Sequence, residues 1–145
     1  MSRFIATSEM FVISILVFVM SVHTSNAQWV QMSNGIGAST GVYSLAYSGN
    51  SLFAGTQNGV YVSTDNGTSW TQTLLNNRTV YSLAVSVNNI FAGCENDYGL
   101  YLSMDNGVSW TQTSLDHRFV FSLLIDGSSI FAVTEYNNAG MGVYL

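Results

Sequence analysis

The sequence contains one pattern of about 40 residues that occurs twice in full and begins a third time. The first copy starts at Val42 and reads VYSLAYSGNSLFAGTQNGVYVSTDNGTSWTQTLL; the second starts at Val80 and reads VYSLAVSVNNIFAGCENDYGLYLSMDNGVSWTQTSL. The third starts at Val120 and reads VFSLLIDGSSIFAVTEYNNAGMGVYL. A repeat of this length indicates a supersecondary unit that buries its apolar surface only against its neighbours, so the repeat constrains the fold more than local propensity does.

Each copy divides into four short predicted strands, A to D, which lie in the first copy at about 42–47, 51–56, 59–64 and 69–74. The turns between them carry asparagine and glycine: Gly49-Asn50, Asn58-Gly59 and Asn66-Gly67. Both residue types tolerate the positive φ angles of tight hairpins, and the strands are rich in β-branched, aromatic and small residues. No long segment after residue 27 has helical periodicity with caps, so we expect essentially no helix there.

Four antiparallel strands in a repeat of this length are typical of one blade of a β-propeller, whereas the alternative, a β-solenoid, usually has shorter repeats and parallel strands. We therefore predict an all-β fold of four-stranded antiparallel blades. The sequence after residue 27 supplies a lone D-type strand at 29–32, blades at 42–74 and 80–114, and a partial blade at 120–145. These make about three blades, fewer than the roughly four to eight that close a propeller. We expect a partial propeller from a truncated chain, or a homodimer closing a six-bladed ring in which strand 29–32 completes the partner's third blade.

Residues 1–27 are predicted to be a secretory signal peptide. An apolar run of 13 residues at 10–22 is shorter than the run of about 20 that spans a membrane, and Ser25-Asn26-Ala27 supplies the small residues that a signal peptidase requires. A short N-terminal anchor is the alternative, because Glu9 offsets the charge of Arg3. We expect a mature chain 28–145 that is secreted, periplasmic or at the cell surface, with no membrane span after cleavage.

Composition and motifs exclude several classes of function. Only 8% of the residues are charged and the formal net charge is -5, which argues against a basic surface for nucleic acid. A single cysteine, Cys94, excludes an internal disulfide and a thiolate-rich zinc site, and its alignment with Thr56 and Thr134 indicates a small buried residue. The chain has no G-x-S-x-G, no H-E-x-x-H and no phosphate-binding glycine loop, so we expect no catalytic residues, metal or cofactor.

An eight-residue motif lies between predicted strands C and D of both full copies, reading STDNGTSW at 63–70 and SMDNGVSW at 103–110. It resembles the Asp-box, S-x-D-x-G-x-x-W, also called the bacterial neuraminidase repeat. That repeat occurs in sialidases, sortilin-type receptors, xyloglucan-degrading enzymes and the photosystem II assembly factor family. The longer pattern is most similar to the assembly-factor-like propellers of exported bacterial proteins. The resemblance implies a structural role for the motif residues Ser63, Asp65, Gly67, Trp70, Ser103, Asp105, Gly107 and Trp110.

The chemistry of the motif agrees with that role. The aspartate can accept hydrogen bonds from N–H groups of its own turn, glycine supplies an unusual φ, and tryptophan buries a large ring. The alternative, that Trp70 and Trp110 stack on sugars, is less favoured because both have a set place in a folding motif. A calcium site at Asp65-Asn66-Gly67 fails because the further oxygen ligands of an EF-hand loop are absent.

Propeller geometry places the A–B and C–D turns on one face and the B–C and D–A connections on the other. The second face collects six of the nine charged residues that follow residue 27, and variable loops on a rigid scaffold are where binding usually lies. The alternative is that loops are polar because water covers them. The candidate binding residues are Arg78, Asp116, His117 and Arg118 in D–A loops, and Glu95, Asp97, Tyr98, Glu135 and Tyr136 in B–C loops.

Individual candidates have two interpretations each. Arg78 and Arg118 occupy the same place in successive copies, where their alkyl stems could cover a blade edge or the pair could clamp a carboxylate of a sialic acid or of a partner. His117 aligns with Asn77, which favours an ordinary loop position over a catalytic one.

A non-catalytic function follows from these residues. The resemblance to sialidases implies an arginine triad and a tyrosine nucleophile supported by a glutamate, but only two arginines follow residue 27. We expect an exported propeller that binds a protein or glycan through its B–C and D–A loop face. The alternatives are a truncated fragment of a sialidase- or xyloglucanase-like glycoside hydrolase, or a truncated product without function. The assembly-factor resemblance implies a chaperone-like role, but that family's arginine-rich patch is not matched here.

Overall fold

The computed structural model describes residues 28–135 and 141–145, and the regular structure within them is almost entirely β-strand. The strands form three antiparallel sheets. The first sheet contains β1 (Val42–Ser48), β2 (Ser51–Thr56), β3 (Gly59–Ser63) and β4 (Thr71–Asn76). The second contains β5 (Val80–Ser86), β6 (Asn89–Cys94), β7 (Leu100–Ser103) and β8 (Thr111–Gln112). The third contains β9 (Phe119–Asp126), β10 (Ser129–Glu135) and β11 (Met141–Tyr144).

Within each sheet every strand pairs with the next one along the chain, so each repeat folds as consecutive hairpins. This arrangement confirms the predicted fold class: the chain is all-β and consists of blade-like antiparallel sheets of three or four strands. All three sheets lie in one compact unit, Gln31–Leu145. The predicted signal peptide at 1–27 lies outside the described residues.

Two strand predictions need correction. Residues 28–33 have no regular secondary structure, so the lone strand predicted at 29–32 is absent. The Met32 and Asn34 carbonyls instead accept hydrogen bonds from the side-chain and backbone N–H of Trp70, at 3.0 and 2.9 Å. Strand D of the first repeat, predicted at 69–74, begins two residues later, because Ser69 is engaged in the preceding turn.

A short helical turn marks the difference between the two full repeats. Residues Asn96–Tyr98 form one turn of 3-10 helix where the second repeat carries its two-residue insertion. Gly99 ends this turn with φ at +66°, and a Cβ atom there would lie 2.1 Å from the Leu115 carbonyl oxygen. Glycine is therefore required where the loop meets the next connection.

The sheets stack through their inner strands, β1 against β5 and β5 against β9. The core between the first and second sheets is apolar and contains Phe53, Val60, Leu75, Val80, Ile90, Ala92 and Cys94. The core between the second and third sheets uses the equivalent places of the next repeat, with Phe91, Leu100, Val120 and Ala132 buried and Leu115 and Ile130 partly buried. Each repeat thus buries its apolar residues against a neighbouring repeat.

Two adjacent leucines of β4 test this packing. Leu75 is 2% exposed in the core between the first two sheets, whereas Leu74 is 75% exposed. We expect Leu75→Ala to lower the free energy of unfolding by about 2–5 kcal/mol, because it removes apolar contacts and leaves a cavity. Leu74→Ala is the matched control and should change it by less than about 0.5 kcal/mol. Urea unfolding followed by tryptophan fluorescence measures both, and equal effects would contradict this assignment of the core.

Candidate functional site

The B–C turns and D–A connections lie together at one end of the sheets, as the sequence predicted. The Glu95 N–H donates to the Thr79 carbonyl at 3.0 Å, and the Gly99 N–H donates to the Arg118 carbonyl at 3.0 Å. The same contact occurs in the first repeat, where the Gln57 N–H donates to the Gly41 carbonyl at 2.9 Å. We call this end, formed by residues 40–43, 57–58, 77–81, 95–99 and 116–121, the loop face.

The S-x-D-x-G-x-x-W motifs lie in the C–D turns, at the other end, and their polar groups bond to one another. The Asp65 carboxylate accepts hydrogen bonds from the Ser69 N–H and hydroxyl, at 2.8 and 2.6 Å, and from the Ser63 hydroxyl at 2.8 Å. The Ser63 oxygen also accepts from the Gly67 N–H at 2.8 Å. Asp105 receives the same set of bonds in the second repeat. Both motifs therefore close their own turns.

The motif tryptophans use their N–H groups within the protein as well. The Trp70 indole donates to the Met32 carbonyl, and the Trp110 indole donates to the Gly107 carbonyl at 3.2 Å. Trp110 also packs against the core between the first and second sheets. These contacts favour packing over sugar stacking for both rings.

The hydrogen bonds lower the pKa of both motif aspartates. The Ser69 hydroxyl and N–H, with a smaller part from the Ser63 hydroxyl, lower the pKa of Asp65 from 3.8 to about 2. The Ser109 hydroxyl and N–H lower the pKa of Asp105 in the same way, to about 2. A carboxylate with a depressed folded pKa stabilises the protein above its unfolded pKa, and that stabilisation disappears as the pH falls from 3.8 towards 2.

We expect Asp105→Asn to destabilise the protein at pH 7, because the charged acceptor of the Ser109 bonds is lost. The difference from wild type should shrink as the pH falls from about 4 to about 2, since the wild-type carboxylate is then protonated. Urea unfolding at each pH measures it. Asp126→Asn, at an exposed A–B turn, is the control and should leave the wild-type profile unchanged. A difference that stays constant down to pH 2 would contradict the role of the charge.

Arg78 is held between two tyrosine rings on the loop face. Its guanidinium lies 4.7 Å from the centre of the Tyr98 ring and 4.8 Å from that of Tyr101. Its Nε donates to the Asn76 carbonyl at 3.1 Å, and Nη1 donates to the Tyr101 hydroxyl. Arg118, its repeat equivalent, lies 4.2 Å from the centre of the Tyr144 ring. Both arginines are thus oriented by cation–π contacts, which fits edge packing better than a free pair of clamps.

The acidic candidates have distinct environments. The Glu95 carboxylate accepts a hydrogen bond from the Thr79 N–H at 3.2 Å, so it ties a B–C loop to a D–A connection. The Nε2 atom of His117 lies 3.8 Å from the carboxylate of Asp116, and both side chains are exposed. His117 has φ at +51° and Asn77 has φ at +57°, so the two aligned residues adopt the same turn conformation. His117 therefore occupies an ordinary turn position.

The remaining candidates contribute less to the described surface. Glu135 is half-buried at the end of β10, and Asp97 lies in the 3-10 turn. Tyr136 lies outside the described residues. Cys94 is buried, and burial raises the pKa of its thiol to about 12, so it is an unreactive packing residue.

A row of aromatic rings on the loop face was missed by the sequence reasoning. The centres of the Tyr43 and Tyr81 rings are 4.8 Å apart, those of Tyr81 and Phe119 are 4.7 Å apart, and those of Phe119 and Phe121 are 3.8 Å apart. Burial is the main cause that raises the pKa of Tyr81, and the neighbouring Tyr43 and Glu95 add to it. The aromatic row crosses all three sheets, because Tyr43 lies on β1, Tyr81 on β5, and Phe119 and Phe121 on β9.

Backbone bulges position this row. The pairing of each inner strand with its neighbour shifts register at the aromatic residue that follows the first valine of the repeat: Tyr43, Tyr81 and Phe121. A bulge leaves one residue unpaired and re-aims its side chain. The aromatic residue at the second place of VYSLA, VYSLA and VFSLL is the pattern that would have predicted three of the four rings; the fourth, Phe119, precedes the third copy of the pattern.

An apolar cavity of about 420 Å³ lies between the second and third sheets. Its lining is Phe91, Leu100, Thr113, Ser114, Leu115, Ile130, Ala132, Tyr144 and Leu145. Among the described residues no group of three or more histidine, cysteine, aspartate or glutamate side chains could hold a metal ion. No helix in the described part of the chain is long and apolar enough to cross a membrane.

Comparisons with known proteins agree with this architecture. A family model described as the DUF6242 beta propeller domain matches residues 6–139. No curated protein matches the chain. Among solved structures, an ancestral GH74 enzyme is 22% identical with a TM-score of 0.55, and the match covers 70% of this chain.

The match spans only 17% of the chain of that enzyme, and an identity this low shows likeness of fold alone. The computationally designed Ika4 protein is 12% identical with a TM-score of 0.39, covering 81% of this chain and 98% of the designed one. For the designed Ika8 protein the corresponding values are 12%, 0.40, 79% and 48%. The two designed proteins are too distant in structure to support an argument.

Proposed function

The chain belongs to the family of the DUF6242 beta propeller domain, and on that premise we propose that it is a non-catalytic binding module whose loop face docks a protein partner. The observation that carries the proposal is the aromatic row Tyr43–Tyr81–Phe119–Phe121, which stands on the same face as the Arg78 stack. Tyrosine and arginine are enriched among the residues that contribute most to protein–protein binding.

Rigidity supports the proposal. Each ring of the row packs against the next, and Arg78 is held between Tyr98 and Tyr101. Side chains that are already ordered lose little conformational freedom when a partner binds, so more of their contact energy remains as affinity. The loops themselves are tied together by backbone hydrogen bonds such as the one from Gly99 to Arg118.

The availability of ring faces favours a protein over a glycan. A sugar stacks on an open ring face, whereas Arg78 lies over Tyr98 and Tyr101 and the rings of the row cover one another. Tyr43, at the end of the row, is 47% exposed and offers one such face. A glycan is therefore the second candidate, and the fold likeness to a GH74 enzyme does not itself favour hydrolysis over binding.

We further propose that the Asp-box resemblance of the two motifs reflects a structural role, since their aspartates bond within their own turns. We also propose that the chain is exported, because residues 1–27 have the composition of a signal peptide. N-terminal sequencing of the protein recovered outside the cytoplasm should begin at Gln28. Recovery of an uncleaved chain in the cytoplasm would contradict export.

The binding proposal predicts that loop-face variants lose the partner. Immobilised wild-type protein is exposed to cell-envelope proteins and, separately, to a panel of soluble polysaccharides. For the protein that wild type captures, we expect Tyr43→Ala and Arg78→Ala each to weaken binding by about 30-fold or more, as removal of a dominant tyrosine or arginine does. Surface plasmon resonance with the purified partner measures the change.

Met104→Ala is the control, because Met104 is 71% exposed in a C–D turn at the opposite end of the sheets. It should leave binding within about threefold, the range of near-neutral surface contacts. Binding of a polysaccharide that depends on Tyr43, with no protein captured, would replace the protein partner by a glycan. Release of sugar from any polysaccharide would contradict the non-catalytic assignment.

A further inference from the structure

Asparagine is followed by glycine at four places in this chain: 34–35, 58–59, 66–67 and 106–107. Asparagine is one of the chemically labile residues of proteins. A glycine after it has no side chain to cover its own nitrogen, so that nitrogen can reach the amide carbon of the asparagine side chain. The structure places the four glycine nitrogens in different surroundings, and we therefore expect the four asparagines to differ in chemical stability.

The reaction begins when base from the solvent removes the proton of the glycine N–H. The nitrogen then attacks Cγ of the asparagine, a C–N bond forms, and the side-chain nitrogen takes a proton from water and leaves as ammonia. Water opens the resulting five-membered imide at one of its two carbonyls. Opening at the side-chain carbonyl gives aspartate, and opening at the main-chain carbonyl gives isoaspartate, in which an extra methylene lies in the main chain.

The two S-x-D-x-G-x-x-W motifs hold the nitrogens of their glycines. The Gly67 N–H donates to the Ser63 hydroxyl oxygen at 2.8 Å, and the Gly107 N–H donates to the Ser103 hydroxyl oxygen at 2.8 Å. Both serines are 1% exposed, and both glycines are buried. Base from the solvent reaches these protons only after the turn opens and the buried hydrogen bond breaks. The serines of the motifs thus shield the asparagine that precedes each glycine.

The Asn58 side chain is restrained in another way. Its Nδ2 donates to the Thr40 hydroxyl oxygen at 3.3 Å. The Asn58 N–H donates to the Thr56 hydroxyl oxygen at 3.0 Å, and the Asn58 carbonyl accepts from Nε2 of Gln72 at 2.7 Å. The side chain must leave Thr40 before its amide carbon meets the next nitrogen, so we expect this asparagine to react slowly as well.

Asn34 and Gly35 have no such restraints. They are the central residues of a turn that the Ile36 N–H closes by donating to the Ser33 carbonyl at 3.0 Å. Gly35 has φ at +96°, the positive φ that a type II turn requires at its third position. Both central residues are exposed, and within residues 28–135 and 141–145 no group accepts the Gly35 N–H. Water and base therefore have access to both groups that react.

The fold does not allow a less reactive neighbour in place of Gly35. A Cβ atom there would lie 2.1 Å from the Trp70 carbonyl oxygen. The Asn34 carbonyl accepts the Trp70 N–H at 2.9 Å, so the turn is held against the first motif from both of its central residues. The contact with the motif tryptophan thus requires the glycine that leaves Asn34 reactive.

We propose that Asn34 is a site of spontaneous conversion to aspartate and isoaspartate, and that Ser63 and Ser103 protect the asparagines of the two motifs from the same reaction. Isoaspartate adds a methylene to the main chain of a turn in which Gly35 fits against Trp70 without room for a Cβ. The conversion therefore loosens the contact between this turn and the first motif. The protein ages at one turn while its motifs stay chemically intact.

Incubation of the full chain at mildly alkaline pH, followed by peptide mass spectrometry, tests the proposal. Reversed-phase chromatography separates the isoaspartyl peptide from the aspartyl one. In the folded protein Asn34 should react at least about 10-fold faster than Asn66 and Asn106, because their reaction waits for a local opening. In urea the three rates should lie within about threefold of one another, because the bonds of the folded state are then absent.

Ser103→Ala tests the protection. It removes the acceptor of the Gly107 N–H, so Asn106 should react about 10-fold faster than in wild type. Asn66 in the same chain is the matched control, because the Gly67 N–H keeps its own serine, and its rate should not change.

Hydrogen exchange of the wild-type protein measures the same protection without a substitution, and it replaces the variant if Ser103→Ala does not fold. The Gly67 and Gly107 N–H groups should exchange at least about 100-fold more slowly than the Gly35 N–H, because only the Gly35 N–H exchanges without a local opening.

The effect on the fold is measured by urea unfolding before and after incubation. Aged wild type should unfold at a lower urea concentration than fresh wild type. Asn34→Gln should show no such loss, because its longer side chain would have to close a six-membered ring. Freshly purified Asn34→Asp carries the new charge without the extra methylene and should unfold as fresh wild type does.

An Asn34 that stays unmodified while the chain in urea reacts would overturn the proposal. Equal rates at Asn34, Asn66 and Asn106 in the folded protein, or fast exchange of the Gly67 and Gly107 N–H groups, would also overturn it. A folded Ser103→Ala protein in which Asn106 stays as slow as in wild type would contradict the protective role of the serine. Fast reaction at Asn34 with slow exchange at both motif glycines supports the proposal.

Discussion

Face-to-face packing between neighbouring sheets is the interaction on which the rest of this structure depends. A single sheet of four short strands buries little apolar surface by itself, and stability comes when Phe53 and Leu75 meet Val80 on the next sheet. Three valines that begin the repeat show the effect directly. Val80 and Val120 are fully buried, but Val42, on the first of the sheets that the structure describes, is 47% exposed. Whether a residue is buried in this fold therefore depends on whether a neighbouring sheet covers it, and not on the residue type.

The two ends of the sheets differ in how their polar groups are hydrogen-bonded. At the motif end, Asp65 and Asp105 accept hydrogen bonds from serines of their own turns, and little polar capacity remains for a partner. At the loop end, hydrogen bonds run between connections of different repeats, as from Gly99 to Arg118, and a bulge in each inner strand turns an aromatic ring into the row. One end is therefore a set of closed turns, and the other is a surface of rings and charges on a stable base.

Much of the fold could be predicted, and the errors have local causes. The strand order and the two faces followed from repeat length and turn residues, and the observed strands agree closely with 42–47 and 51–56. The strand at 29–32 was wrong because similarity to WTQT does not provide a partner strand for the ladder. The start of strand D was placed two residues early because Asp65 holds Ser69 in the turn. The aromatic row was missed because alternation along a strand does not reveal a bulge.

The sequence by itself determined which segments pair, where the turns fall and which loops share a face, because hairpins and Asp-centred turns are made by residues close together in the chain. Only the tertiary structure decided that Arg78 lies between Tyr98 and Tyr101, that Tyr43, Tyr81 and Phe119 form one row, and that equivalent valines differ in burial. These contacts join residues more than 15 positions apart or on different sheets, and they depend on how whole sheets stack. Local chemistry specifies the repeat, and packing between repeats assigns each copy of a residue its environment.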